Sequence, residues 1–264
     1  MTAVALDGTS VITGGADGRV RVWARPGAPT QVLAAGGPVT AVGAGGSEIV
    51  AAARGGRLVT WSKTGQRLLS LRERADVAGL AVSHDGRLLA TAGVDRIARI
   101  RDLRTGSLLH TLVGHTGPLT AVAFSPDDAL VATASLDHDV RTWTVGTGEL
   151  AHRLQAHFAV VSDVAFSPDG RWLVTAGPTT AGLWHADSGA FVTYLRGHTA
   201  RLVGAGFTAN GSGIATASVD GTVRAYRCDL CGSLEQLVGL ADDRLAATGR
   251  QLTPGERRSY FAFR

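Results

Sequence analysis

Eight histidines, two cysteines and a few paired carboxylates are the groups in this 264-residue chain that could do chemistry. Cys228 and Cys231 form a Cys-x-x-Cys pair, which supplies half of a structural zinc site, and there is no second pair to complete it. A His or Asp from the fold, or a dimer, would have to provide the other ligands. The pair also suits redox chemistry, although the βαβ context of that chemistry is missing, or a plain turn with reduced thiols. His110, His138, His152 and His185 share no metal-ligand spacing, and His84 takes a proline's place in a turn. Asp127-Asp128 reads as a turn and Asp242-Asp243 as a solvated helix face. Gly43-Ala44-Gly45-Gly46 is glycine-rich, but no helix follows to cradle a phosphate. The chain has no Gly-x-Ser-x-Gly, no Gly-Lys-Ser/Thr loop and no His-Glu-x-x-His, so no enzyme is expected and no cofactor is implied.

The elements that must carry these groups are short strands in a repeat. Trp23, Trp61, Arg101, Trp143, Trp184 and Tyr226 each end a run rich in β-branched or small residues, at intervals of 38, 40, 42, 41 and 42 residues. A period near forty is that of a four-stranded propeller blade. Within a unit, an alternating strand such as Leu119–Phe124 leads into a turn such as Ser125-Pro126-Asp127-Asp128 or Ser167-Pro168-Asp169-Gly170. Proline presets φ there, Asp bonds its own backbone, and Gly accepts positive φ. A small-residue strand such as Leu130–Ser135 follows, then a turn carrying Asp, the aromatic strand, and a Thr-Gly or Ser-Gly turn into a fourth strand. This predicts an all-β meander in units of about 1–37, 38–75, 76–116, 117–158, 159–199 and 200–228, with 229–264 as a separate tail.

The pattern resembles the WD-repeat β-propeller family. Gly114-His115 and Gly197-His198 precede a first strand, and Asp17, Asp95, Asp137 and Asp220 lie six residues before the aromatic position. Of the Trp-Asp ending, only Asp102 keeps its acid. The resemblance implies a hydrogen-bonded network of His, Ser or Thr, Asp and Trp inside each blade. His115, Ser135, Asp137 and Trp143 match it in the fourth unit; His198, Ser218, Asp220 and Tyr226 match it in the sixth. Asp17, Trp23 and Asp95 are partial members. Gly55 and Pro178 replace the Asp, Arg101 replaces the Trp, and the third unit has no Gly-His. The family also implies that partners bind at one rim, which here would include Arg54, Arg96, His138, Phe158, Thr179 and Arg201. The expected function is a non-enzymatic scaffold or sensor that binds proteins or peptides. The alternative is a propeller that takes a small molecule or metal, through its channel or through Cys228 and Cys231.

Composition narrows the rest. Hydrophobic residues make up 45% of the chain and charged ones 18%, which is globular rather than disordered. The net charge is +4, and all the basic residues but Lys63 are arginines, scattered without a basic run or aromatic stack. Specific nucleic-acid binding is therefore not expected. Nor is membrane insertion or secretion, since no long apolar run or signal pattern is present, and a cytoplasmic setting is the default. After Tyr226, Ser233 with Gln236 reads as a capping box, and Leu234, Leu237, Val238, Ala241 and Leu245 share one helical face. Thr253-Pro254 offers a second helix start. This tail resembles the ending of large bacterial multidomain WD-repeat signalling proteins. The first unit begins in its innermost strand and the last has only three strands, so an edge is left unpaired. Either the Ser233–Ala246 helix covers that edge, or Met1 is an internal start or truncation within a longer array.

Overall fold

Short alternating runs separated by Gly, Asp and Pro turns fold locally into antiparallel meanders. The computed structural model describes residues 1–8, 10–24, 29–155 and 157–227, and they form six such sheets. Sheet one holds β1 (Ala3–Asp7), β2 (Ser10–Gly14), β3 (Arg19–Trp23) and β4 (Gln31–Ala34). Sheet two holds β5 (Val39–Gly45), β6 (Glu48–Ala53), β7 (Arg57–Ser62) and β8 (Arg67–Arg72). Sheet three holds β9 (Val77–Val82), β10 (Leu88–Gly93), β11 (Ile97–Asp102) and β12 (Leu108–Val113). Sheet four holds β13 (Leu119–Phe124), β14 (Leu130–Ser135), β15 (Val140–Thr144) and β16 (Leu150–Leu154). Sheet five holds β17 (Asp163–Phe166), β18 (Trp172–Ala176), β19 (Ala181–His185) and β20 (Phe191–Leu195). Sheet six has only β21 (Leu202–Phe207), β22 (Gly213–Ser218) and β23 (Val223–Arg227). The described residues contain no helix; the expected helical tail, with Cys228 and Cys231, lies outside them.

Sheets two to five each bury both faces. In β14, Val131 packs in the cluster shared with sheet three, while Ala132 and Ala134 pack in the cluster shared with sheet five. Five apolar clusters join sheets one to two, two to three, three to four, four to five and five to six. The first strand of each sheet packs on the first strand of the next, from β1 on β5 to β17 on β21. Together these strands line a central channel of about 500 Å³.

Hydroxyls clasp these inner strands together. Thr2 Oγ1 donates to the Val39 carbonyl at 2.7 Å, Thr120 Oγ1 to Val161 at 2.7 Å, and Ser162 Oγ to Leu202 at 2.5 Å. The two edges of the ring are built differently. On one edge, Ser83, Ser125 and Ser167 donate to Asp85, Asp127 and Asp169 two residues on, at 2.6, 2.6 and 2.5 Å. On the other edge, the turn after each second strand is tied to the loop that enters the same sheet. Arg54, Val94, Leu136 and Val219 donate their N–H to the carbonyls of Pro38, Asp76, Pro118 and Arg201.

The inner strands approach closely enough to exclude a methyl group at Gly79, where a Cβ would lie 3.0 Å from Ala121 Cα and 3.2 Å from the Thr120 carbonyl. At Gly206, on β21, a Cβ would meet nothing within 4 Å. Gly79→Ala should lower stability by roughly 1–3 kcal/mol in urea denaturation, whereas Gly206→Ala should leave it within about 0.5 kcal/mol. Equal effects would contradict this account of the inner wall.

Candidate functional site

Sheet four carries a buried relay of four side chains. Trp143 Nε1 donates to Thr133 Oγ1 at 2.9 Å, Thr133 Oγ1 donates to His115 Nε2 at 2.8 Å, and His115 Nδ1 donates to Asp137 Oδ2 at 2.8 Å. The N–H groups of Thr116 and Asp139 also donate to the Asp137 carboxylate. Burial pushes that carboxyl up, but the Thr116 N–H, the His115 ring and the Asp139 N–H outweigh it and hold the pKa at about 2. Burial keeps His115 below its ordinary value, so the relay joins a neutral imidazole to an ionised Asp. Every polar group in the chain of four has a partner, as a dry interior requires.

The hydroxyl between His and Trp is Thr133, two residues before the expected Ser135. Ser135 Oγ instead donates to the Gly117 carbonyl at 2.9 Å and accepts the Asp137 N–H at 3.1 Å, fastening the turn that presents Asp137. Sheet six repeats this arrangement. His198 lies 3.0 Å from Asp220 and 2.8 Å from Thr216, and Ser218 bonds the Ala200 carbonyl and the Asp220 N–H. Hydrogen bonds from Thr222, Thr199 and His198 hold the Asp220 carboxyl far below the usual range. Tyr226 stays outside the relay: its hydroxyl donates to the Arg196 carbonyl at 3.1 Å. In sheet one, Trp23 Nε1 donates to Thr13 at 2.8 Å, while Asp17 pairs with Arg21 at 2.6 Å.

Sheet three fills the same positions with charge. Glu73 lies 22 residues before Asp95 and 18 before Thr91, the spacings of His115 to Asp137 and to Thr133. Arg101, in the Trp position, donates through Nε to Glu73 Oε1 at 2.8 Å and through an Nη to Oε2 at 3.2 Å. Arg99 lies 3.4 Å from Glu73 and 2.6 Å from Asp95. An ion pair therefore stands where sheet four has its His and its Trp. Sequence reading noted Arg101 but passed over Glu73, although its spacing identifies the position.

Sheet five keeps only part of the relay. His157 Nε2 bonds Thr175 Oγ1 at 3.0 Å and Trp184 Nε1 donates to the same hydroxyl at 3.1 Å, but His157 Nδ1 is buried without a partner. Gly177 stands where Ser135 stands in sheet four, and a Cβ there would collide with the His157 ring. Thr179 sits half-buried in the turn without a carboxylate to offer.

The expected rim residues gather at the edge where these relays end. Arg54, Arg96, His138, Phe158 and Arg201 are exposed there, and Phe158 is 81% exposed. Val94, Leu136 and Val219, missed by sequence reading, are exposed at the position that Arg54 holds in sheet two. Arg96 and His138 have φ of 71° and 75°, a left-handed conformation that Gly18, Gly56 and Gly221 adopt in the corresponding turns. None of Arg54, Arg96 and Arg201 pairs with a carboxylate among the described residues. The described residues hold no group of three or more His, Cys, Asp or Glu suited to a metal, and Cys228 and Cys231 lie outside them.

Replacing Thr133 by Val leaves the His115 and Trp143 ring nitrogens buried and unpaired, so Thr133→Val should cost roughly 2–5 kcal/mol and Ser135→Ala about 1 kcal/mol. Urea denaturation of the two variants checks that order. A second prediction concerns pH. Burial lowers His157 from 6.5 to about 4, so its contribution is intact above pH 6.5 and declines as the pH falls towards 4. Asp163 lines the channel, and burial raises it from 3.8 to about 6, so its contribution declines as the pH rises from 4 to 6. The slopes oppose each other. Asp163→Asn should steepen the rise in stability from pH 4 to 6.5, and His157→Gln should flatten or reverse it. Denaturation curves that superimpose on wild type at every pH would refute both assignments.

Comparison with family models places the WD domain, G-beta repeat on residues 2–24, 65–102, 106–144, 148–185 and 189–227, about two thirds of the chain. The unmatched stretch between the first two segments contains Gly55, the position where sheet two lacks its Asp. Comparison with curated proteins finds no significant match. Repeated four-stranded sheets, buried His–Asp relays and the family match lead to one conclusion: the chain belongs to the WD domain, G-beta repeat family.

Proposed function

We propose that the protein is a non-enzymatic scaffold that binds a partner protein at the rim formed by the turns after β6, β10, β14 and β22. The observation that carries this reading is the exposure of Val94, Leu136 and Val219 at one repeated position, beside Phe158 and the arginines Arg54, Arg96 and Arg201. Apolar side chains on a solvated turn gain nothing for the fold, whereas aromatic and Arg residues are those that anchor interfaces. The left-handed Arg96 and His138 support the same reading, because strain kept in the ground state collects at functional positions. Unpaired guanidinium groups among apolar side chains suit a partner segment that combines acidic and hydrophobic residues. Placement within a larger bacterial signalling protein is part of the same proposal, supported by the sequence of the tail beyond Arg227.

The test immobilises wild type, Leu136→Asp, Phe158→Asp and, as a control on the outer strand β12, Leu109→Asp. Proteins retained from the source cells are quantified by mass spectrometry. The expected result is a set of proteins that falls at least tenfold on both rim variants and is unchanged on Leu109→Asp. Retention that ignores the rim variants would refute the assignment.

A further inference from the structure

The ring has one seam that the described residues do not close. Apolar clusters join every successive pair of sheets from one to six, but none joins six to one, and β21 makes no packing on β1 comparable to that of β17 on β21. Both walls of the seam expose residues that are buried elsewhere. On sheet six, Ala215, Val223 and Ala225 are exposed, Val223 at 75%, while their counterparts in sheet five, Val174, Ala181 and Leu183, are at most 2% exposed. On sheet one, Val4 and Leu6 are exposed, and Trp23 is half-buried where Trp61, Trp143 and Trp184 are buried. Two facing apolar walls in water are an aggregation hazard that a folded protein has to cover.

We propose that residues 228–264 of this chain occupy the seam and pack against both walls. These residues continue directly from β23, the strand at the lip of the seam, so the occupant is tethered where it is needed. Tethering by a short linker gives an effective concentration in the millimolar range, which a second copy of the chain reaches only at comparable bulk concentration. The segment is close to one repeat in length, enough to fill the space of a missing neighbour. Its sequence has the required side chains: Leu234, Leu237, Val238, Ala241 and Leu245 recur at helical spacing, and Asp242, Asp243 and Arg244 supply an outward polar set.

The experiment is trypsin digestion of the reduced full chain, following cleavage at Arg244, Arg250, Arg257 and Arg258 by mass spectrometry, with light scattering to give the molecular mass. The proposal expects a monomer with slow cleavage at these sites. Val223→Asp and Leu6→Asp should speed it tenfold or more, and Leu109→Asp should leave it unchanged. Leu237→Asp changes the segment without touching the sheets, so it guards against variants that fail to fold. It should also speed cleavage, and should raise hydrogen exchange in β1 and β23 while β9 to β16 stay protected. Fast cleavage in wild type, unaltered by any variant, would overturn the proposal. So would a stable dimer that Leu6→Asp dissociates without altering cleavage of the tail, since the second copy would then be the occupant.

Discussion

The constraint on which this protein rests is that each of its sheets is apolar on both faces and so can be buried only by its neighbours. Alternation along β14 sends Val131 towards sheet three and Ala132 and Ala134 towards sheet five, and no rotation of one strand could bury all three in a single core. Stability is therefore distributed over interfaces between neighbours, as in other repeat architectures. The close approach of β9 to β13 at Gly79 and the hydroxyl clasps between first strands follow from that demand for contact. So does the meaning of the seam, where the same kind of surface has no neighbour among the described residues.

A second rule operates inside each sheet. A polar group that is taken out of water must be paired, and the repeat meets this rule with different chemistry at equivalent positions. Sheets four and six use a His–Asp pair with a threonine beneath it. Sheet three replaces the ring pair by Glu73 and Arg101, and Arg99 adds a second cation beside Glu73, so the buried carboxylate is paired on both sides. Sheet two removes the polar members, with Ala35 and Ala51 at the His and Thr positions and Trp61 left to pack. Sheet five leaves Nδ1 of His157 unpaired, so its imidazole carries the largest cost on protonation. The relays resemble catalytic constellations in composition, but their carboxylates accept hydrogen bonds from backbone N–H groups and the His115 and His198 rings are buried.

What the relays accomplish is the presentation of a rim. Asp137 and Asp220 hold the turns from which Leu136, His138 and Val219 project, and the carbonyl bonds to Pro118 and Arg201 fix the height of those turns against the incoming loops. Rigid turns on a ring of sheets give a preorganised surface, which reduces the ordering cost of binding a partner. The protein-binding reading proposed here thus rests on the same hydrogen bonds that stabilise the blades.

The sequence by itself determined the period, the four-strand grammar of a unit, the short sixth sheet and the His–Asp separation of 22, because each is a local pattern repeated along the chain. Asp, Gly and Pro at turns and alternation in strands act over a few residues, and so they are legible without knowledge of the fold. Glu73 escaped notice because a Glu in the His position has meaning only beside Arg101, 28 residues away. Alternation puts Thr133 and Ser135 on the same face of β14, and only their position along the strand separates them, Thr133 lying against Trp143 and Ser135 against the entering loop, which the local pattern does not distinguish. The tertiary structure alone decided which apolar residues stay exposed. Val94, Leu136, Val223 and Leu6 look like core residues in sequence, yet Val94 and Leu136 stand on rim turns that no sheet covers, and Val223 and Leu6 differ from Ala181 and Leu183 only in having no neighbouring sheet among the described residues. Burial depends on whether a neighbouring sheet covers a face, a long-range fact that no local pattern encodes.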